Sequence, residues 1–224
     1  MLVKAPRAGA VKTRLVPPLT SDEAAGLAAC FAQDTVAGLR RVVPQLIVAY
    51  APPDGRDTLE ALFAADDLCW FEQQGADLGA RLMAAVSHAF RLGHSPVIVT
   101  GTDSPTLPAS FVRQAVAALS TAQADIALGP TDDGGYYLVG LRRASRGLFQ
   151  NVAWSTPLAY LHTARNAARL GLRTLELPRW YDVDTCADLL RLREELSANE
   201  EARLRAPATH RWLLAHASSL PASA

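Results

Sequence analysis

Three groups of residues have the types and spacing to act on a phosphorylated ligand. The first is the loop KAPRAGAVKTR, which carries four cations after the short apolar run MLV. The chain holds only two lysines, Lys4 and Lys12, against twenty arginines, and both lie in its first twelve residues. Lysine is a compact point charge with rotatable donors, suited to phosphate oxygens, and arginine does not replace it freely there. Lys4, Lys12 and Arg14 together complement a di- or triphosphate. The second group is Asp103 in GTDSP, directly after the apolar run PVIVT, where Ser104 and Pro105 stop the strand and leave a carboxylate at the sheet edge. As a bare residue it also reads as a cap or turn aspartate. The third is DVDT. Asp182 and Asp184 are two apart, so in an extended chain they project to one face and repel unless a cation lies between them. A hard divalent ion, Mg²⁺ or Mn²⁺, is the simplest such cation, since Mg²⁺ takes one or two carboxylates plus waters and substrate phosphates. Either aspartate alone could equally cap the following helix. Cations for phosphate and carboxylates for a metal suit phosphoryl or sugar transfer from an activated nucleotide.

The elements that must hold these groups follow from pattern. Helical periodicity is read over SDEAAGLAACFAQDTVAGLRRV, with Ser21 as N-cap and Leu27, Phe31, Val36 and Leu39 on one face, and over residues 57–65. It recurs in QGADLGARLMAAVSHAF, PASFVRQAVAAL, TPLAYLHTARNAARLG and CADLLRLREEL, the last capped by Thr185 with Asp188 three residues on. QLIVAYA, PVIVTGTD, DIALGP, YYLVGL and LRTLELP read as strands, and WYDVDT as a short strand or extended run. Strands alternating with helices imply an α/β domain with a mainly parallel sheet covered on both faces, and ligands in such sheets sit beyond the carboxyl ends of the strands. The turn TDDGG between DIALGP and YYLVGL predicts a hairpin, the antiparallel exception. We expect a nucleotide-binding domain over 1–196 and a C-terminal helical tail over 197–224, with SSLPASA as an unstructured end.

Composition narrows the partners. With 22 basic and 22 acidic residues, nothing favours a nucleic-acid backbone or an anionic membrane surface, and no apolar run reaches the length of a membrane span. Cys30, Cys69 and Cys186 are odd in number and not in metal-type pairs, which suits reduced thiols and a cytoplasmic location. The five histidines lack the spacing of a zinc helix. AGAVKT lacks the glycine that a P-loop requires immediately before its lysine, and no G-x-G-x-x-G follows MLV. No G-x-S-x-G elbow marks a serine hydrolase.

Six motifs, KAPRAGAVKTRL, DLGARL, GTDSP, GPTDDGGYYLVGL, WST and DVDT, occur in that order from Lys4 to Thr185. In them the chain resembles a bacterial family of GT-A-like glycosyltransferases, some linked to arsenosugar synthesis. More distantly, its K-x-R-L, post-strand aspartate and D-x-D-T look like those of the 2-phospho-lactate guanylyltransferases. The resemblance implies the nucleotide-diphospho-sugar transferase fold and a nucleotide or nucleotide-sugar substrate. It implies phosphate contacts from Lys4, Lys12 and Arg14, nucleotide or ribose contacts from Asp77 and Arg81, and metal ligation by Asp103 and Asp184, with Asp182 as a third ligand. It implies an acceptor wall from Gly134, Gly135, Tyr136 and Trp154, with Asp133 as the carboxylate that orients or deprotonates the acceptor. Two departures stand out: MLV is shorter than the family's opening strand, and Asp132 matches a variable position and receives no role. Sugar transfer is the first reading, nucleotidyl transfer with release of pyrophosphate the second, and a non-catalytic nucleotide-binding module the third.

Overall fold

Apolar, β-branched runs such as Ile47–Ala51 and Val97–Thr100 alternate with segments of helical periodicity, and the backbone follows that alternation. A computed structural model describes residues 1–219. Within them lie β1 (Leu2–Lys4), α1 (Ser21–Arg40), β2 (Ile47–Ala51), α2 (Arg56–Phe63), β3 (Cys69–Glu72), α3 (Leu78–Arg91) and β4 (Val97–Thr100). Then follow α4 (Ala109–Ser120), β5 (Ile126–Pro130), β6 (Tyr136–Leu141), α5 (Ala159–Arg169), β7 (Thr174–Glu176), α6 (Cys186–Ala198), α7 (Glu200–Arg205) and α8 (Pro207–Ala215). WYDVDT is extended, with one bridge from Trp180 to Thr131.

The strands form two hydrogen-bonded sheets, β1-β2-β3 and β4-β6-β5-β7. The first is parallel throughout. In the second, β6 is antiparallel to both neighbours and β7 is parallel to β5, so the turn at 131–135 delivers the antiparallel strand. β6 is buried on both faces. Leu138 enters the core cluster beneath α1, α2 and α4, whereas Val139 enters the one beneath α3 and α5, the alternation that a period of two demands.

A third cluster positions the chemistry. Leu15, three residues after Lys12, and Val183, between Asp182 and Asp184, are both fully buried in it, together with Leu27 and Phe31 of α1 and Leu189 and Leu192 of α6. Two segments from opposite ends of the chain are thereby clamped to one patch of α1. Helices α7 and α8, in the segment expected as a tail, add Ala202, Trp212 and Leu213 to this cluster. Asp34 of α1, only 3% exposed, accepts hydrogen bonds from the backbone N–H groups of Ala208 and Thr209 and so holds the start of α8.

One cap differs from the sequence reading. Thr20, not Ser21, is the N-cap of α1: its hydroxyl accepts from Glu23 N while Glu23 accepts from Thr20 N. The acid three residues on decides the matter, because only Thr20 can exchange both bonds with it. Thr185 and Asp188 form the same box on α6, as read. The expectation for SSLPASA falls largely on residues 220–224, outside those described. Among the described residues, no helix is long and apolar enough to cross a membrane.

Candidate active site

Where β1 and β4 face each other across the seam between the sheets, a cavity of about 470 Å³ opens, within the range of small-molecule sites. Its lining includes Lys4, Lys12, Gln73, Asp103, Tyr136, Asp182 and Asp184. A second cavity, about 430 Å³, lies at the other end of the seam, where Leu46, Ile47, Val97 and Val99 give it an apolar wall without paired carboxylates or lysines. We place the site in the first because the charged groups converge there.

Lys12 is the centre of that convergence. Its Nζ donates to the Val183 carbonyl at 2.7 Å and to Asp184 at 2.9 Å, pairs with Asp103, and lies 5.4 Å from the centre of the Phe31 ring. The side chain is 6% exposed. Burial by itself pushes the ammonium down, but Asp103 and Asp184 outweigh it and hold Lys12 above its ordinary pKa. Its backbone is left-handed (φ 47°), a conformation that surrounding contacts must maintain in a residue other than glycine. Lys4 reaches the Ala10 carbonyl at 2.7 Å across the same loop. Arg14, on a 3₁₀ turn at Thr13–Leu15, is exposed and does not line the cavity.

Asp103 lies just beyond β4, and its carbonyl accepts from Val183 N at 2.9 Å, joining GTDSP to DVDT through the backbone. Asp182 is separately engaged: Ser104 Oγ donates to it at 2.5 Å. Burial pushes the Asp182 carboxyl up to about 7; the Ser104 bond opposes this, and the neighbouring Asp103, Asp133 and Asp184 add to it. Among the described residues, no group of three or more His, Cys, Asp or Glu gathers as a metal set. Two carboxylates meeting at one cationic atom nevertheless fit a magnesium-type ion, which completes its shell with water and substrate phosphate.

The turn 131–135 is built from within. Asp133 Oδ1 accepts from Thr131 Oγ1 at 2.5 Å and from Gly135 N at 3.0 Å, and Asp133 is not among the residues lining the cavity. Gly134 (φ 85°) leaves no room for a side chain, because a Cβ there would lie 2.2 Å from the Pro157 carbonyl oxygen. The close approach made by this glycine is therefore to the chain's own WSTP segment. Tyr136 lines the cavity, and burial pushes its phenol up; its ring meets Trp154 edge-on at 6.3 Å. Asp77 caps α3 by accepting from Ala80 N at 2.8 Å, and Arg81 Nε donates to the Gly75 carbonyl at 3.1 Å. Asp132, without a role in the sequence reading, pairs with Arg191 at 2.7 Å, whose guanidinium lies over the Tyr181 ring.

Two residues of the site escaped the sequence reading. Ser104 lies within GTDSP, where the sequence marks it only as a strand stop, yet its hydroxyl donates to Asp182. Gln73, which donates to the carbonyls of Val3 and Ala49, carries no local signal, since its partners belong to two other strands.

DLG and WST meet in space, which yields a test. A Cβ on Gly79 would lie 2.6 Å from Trp154 Nε1. Helix propensity alone makes Gly79→Ala stabilising by up to about 1 kcal/mol, while overpacking against the indole is worth about 1–3 kcal/mol in the other direction. We expect net destabilisation of about 1 kcal/mol, read as a lowered urea midpoint with altered tryptophan emission; a raised midpoint would show that Trp154 does not press on α3.

The family model for uncharacterized proteins conserved in bacteria, DUF2064, matches residues 35–156. No curated protein matches the chain. Among solved structures, the chain is similar to a candidate nucleotide-diphospho-sugar transferase from Desulfovibrio desulfuricans G20, with 33% identity and a TM-score of 0.89 over 97% of this chain and 94% of that one. It shares its fold with a cytidylyltransferase from Leptospira borgpetersenii at 14% identity and a TM-score of 0.54, covering 100% of this chain and 96% of that one. It shares it also with a CMP:2-keto-3-deoxy-manno-octonic acid synthetase complexed with CTP, at 13% identity and a TM-score of 0.56, covering 88% and 97%. The fold is thus the α/β nucleotide-diphospho-sugar transferase fold.

Proposed function

The chain belongs to the DUF2064 family, and from that premise we propose that it is a metal-dependent glycosyltransferase using a nucleotide-sugar donor. The observation that carries this reading is the meeting of Lys12, Asp103 and Asp184 at one wall of a cavity sized for a small ligand. The likeness to a candidate nucleotide-diphospho-sugar transferase at 33% identity supports the class.

In this reading Asp103 and Asp184 would hold Mg²⁺ or Mn²⁺, which would supply positive charge against the diphosphate of the leaving group. Lys4 and Lys12 donate charge-assisted hydrogen bonds to phosphate oxygens, with Arg14 at the loop's outer edge. Asp77 and Arg81 fix the nucleoside end. Tyr136, Trp154, Gly134 and Gly135 shape the acceptor side, where the second carboxylate oxygen of Asp133 takes the proton of the acceptor hydroxyl. The acceptor oxygen bonds to the anomeric carbon as the bond from that carbon to phosphate breaks, and the nucleotide departs. The three free thiols suit a reducing cytoplasm.

Nucleotidyl transfer is the second reading, favoured by the placement of both lysines at the first strand's exit, where the phosphates of a triphosphate would enter. The leaving group decides between them. Supplied with Mg²⁺, a pool of acceptors and either nucleotide sugars or nucleoside triphosphates, the protein is expected to release nucleotide from the sugar donors. Pyrophosphate formed only from the triphosphates would replace the first reading with the second, and binding without turnover of either donor would leave a binding module.

A further inference from the structure

Lys12 stands where a divalent cation would have to stand. Three oxygens, from Asp103, Asp184 and the Val183 carbonyl, surround its single positive atom in a side chain 6% exposed. In this arrangement the two roles assigned to the site exclude each other. An ammonium held by both carboxylates is not available to phosphate, and carboxylates neutralised by it are not available to a metal. The ammonium is also tethered, so a free ion must compete with a cation whose local concentration is set by the fold. One movement satisfies both roles: phosphate oxygens draw the ammonium out, and the metal takes the place between Asp103 and Asp184. The flexible four-carbon stem of lysine can make that movement without displacing the loop that Leu15 anchors.

We propose that Lys12 is a resident counter-cation that keeps divalent metal out of the ligand-free protein, so that metal and substrate phosphate enter together and each strengthens the other's binding. The inference rests on the transferase reading of the same site. Coupling of this kind is reciprocal: whatever phosphate does for the metal, the metal does for phosphate.

Two measurements that do not require turnover test it. Titration of Mn²⁺ followed by electron paramagnetic resonance, without nucleotide, is expected to show at least about tenfold tighter binding to Lys12→Met than to the unaltered protein, within the usual span of coupling between sites. Since the chain has two lysines, carbon-13 labelling of lysine gives two side-chain Cε signals in the unaltered protein, which needs no variant to fold. The Lys12 signal is expected to stay in place with Mg²⁺ alone and to move when inorganic pyrophosphate is added with Mg²⁺. Equal Mn²⁺ affinity in the two proteins, or a Lys12 signal that moves with Mg²⁺ alone, would overturn the proposal while leaving a metal-dependent transferase. Absence of Mn²⁺ binding to both proteins, with and without pyrophosphate, would overturn the metal-dependent reading itself and this proposal with it.

Discussion

Asp103→Asn is expected to lower turnover about 10²–10³-fold while leaving the fold standing. The substitution keeps shape and removes charge, and fixed electrostatic groups at a reacting centre are commonly worth that much. The backbone bond from Val183 N to the Asp103 carbonyl survives it. The Asp103 side chain is 47% exposed, so its pairing with Lys12 is screened by solvent and contributes little to stability. Lys12 also retains Asp184 and the Val183 carbonyl. Asp184→Asn is expected to behave alike, because Asp184 pairs with the same ammonium and is 42% exposed. The checks are steady-state rates at saturating Mg²⁺ and a thermal melt, which should change by no more than a few degrees. Wild-type turnover in both variants would remove these carboxylates from the chemistry; loss of the cooperative melt would assign them to folding instead.

The parts of the site that could be read in the sequence are those whose cause is local. A strand run that stops at Thr100, just before Gly101 and Asp103, places a carboxylate at a sheet edge by geometry alone, and a hairpin between β5 and β6 follows from Asp and Gly in the turn. Thr185 with Asp188 announced a cap for the same reason. What stayed hidden depends on residues distant in the chain. Lys12 and Asp184 lie 172 positions apart, and only the packing of Leu15 and Val183 into one cluster makes them partners. Charge type pointed Lys12 toward phosphate, but it carries no information about which anion the folded chain offers it. The glycine pair in DDGGYY shows the same limit. Two glycines suit a turn and permit a close approach, but the sequence alone could not say that Gly134 approaches Pro157. The docking of α8 on α1 was hidden too, since Asp34 reads as an ordinary polar position of an amphipathic helix until Ala208 and Thr209 are set against it.

Asp182→Asn is expected to stabilise the ligand-free protein above neutral pH, with no gain in acid. The carboxyl of Asp182 is raised from 3.8 to about 7, chiefly by burial, against the opposing hydrogen bond from Ser104 and with help from Asp103, Asp133 and Asp184. For an acid raised on folding, the unfolded chain ionises first. Between about pH 4 and 7 the folded state keeps a proton that the unfolded state has released, so stability falls as pH rises through that window and stays low beyond it. A shift of about three units corresponds to about 4 kcal/mol as an upper bound, and relaxation around a new charge brings the expected difference to about 2–3 kcal/mol. Asparagine still offers an oxygen to Ser104 and does not titrate, so the variant escapes this loss. Other groups, among them the buried Met1 amine, lowered to about 5 by burial, contribute equally to both proteins and cancel in the difference. Paired thermal melts should therefore coincide near pH 4 and separate by about 5–10 °C at pH 8, the variant being the more stable. A separation that is the same at both pH values would show that the substitution acts through packing and not through the charge of Asp182.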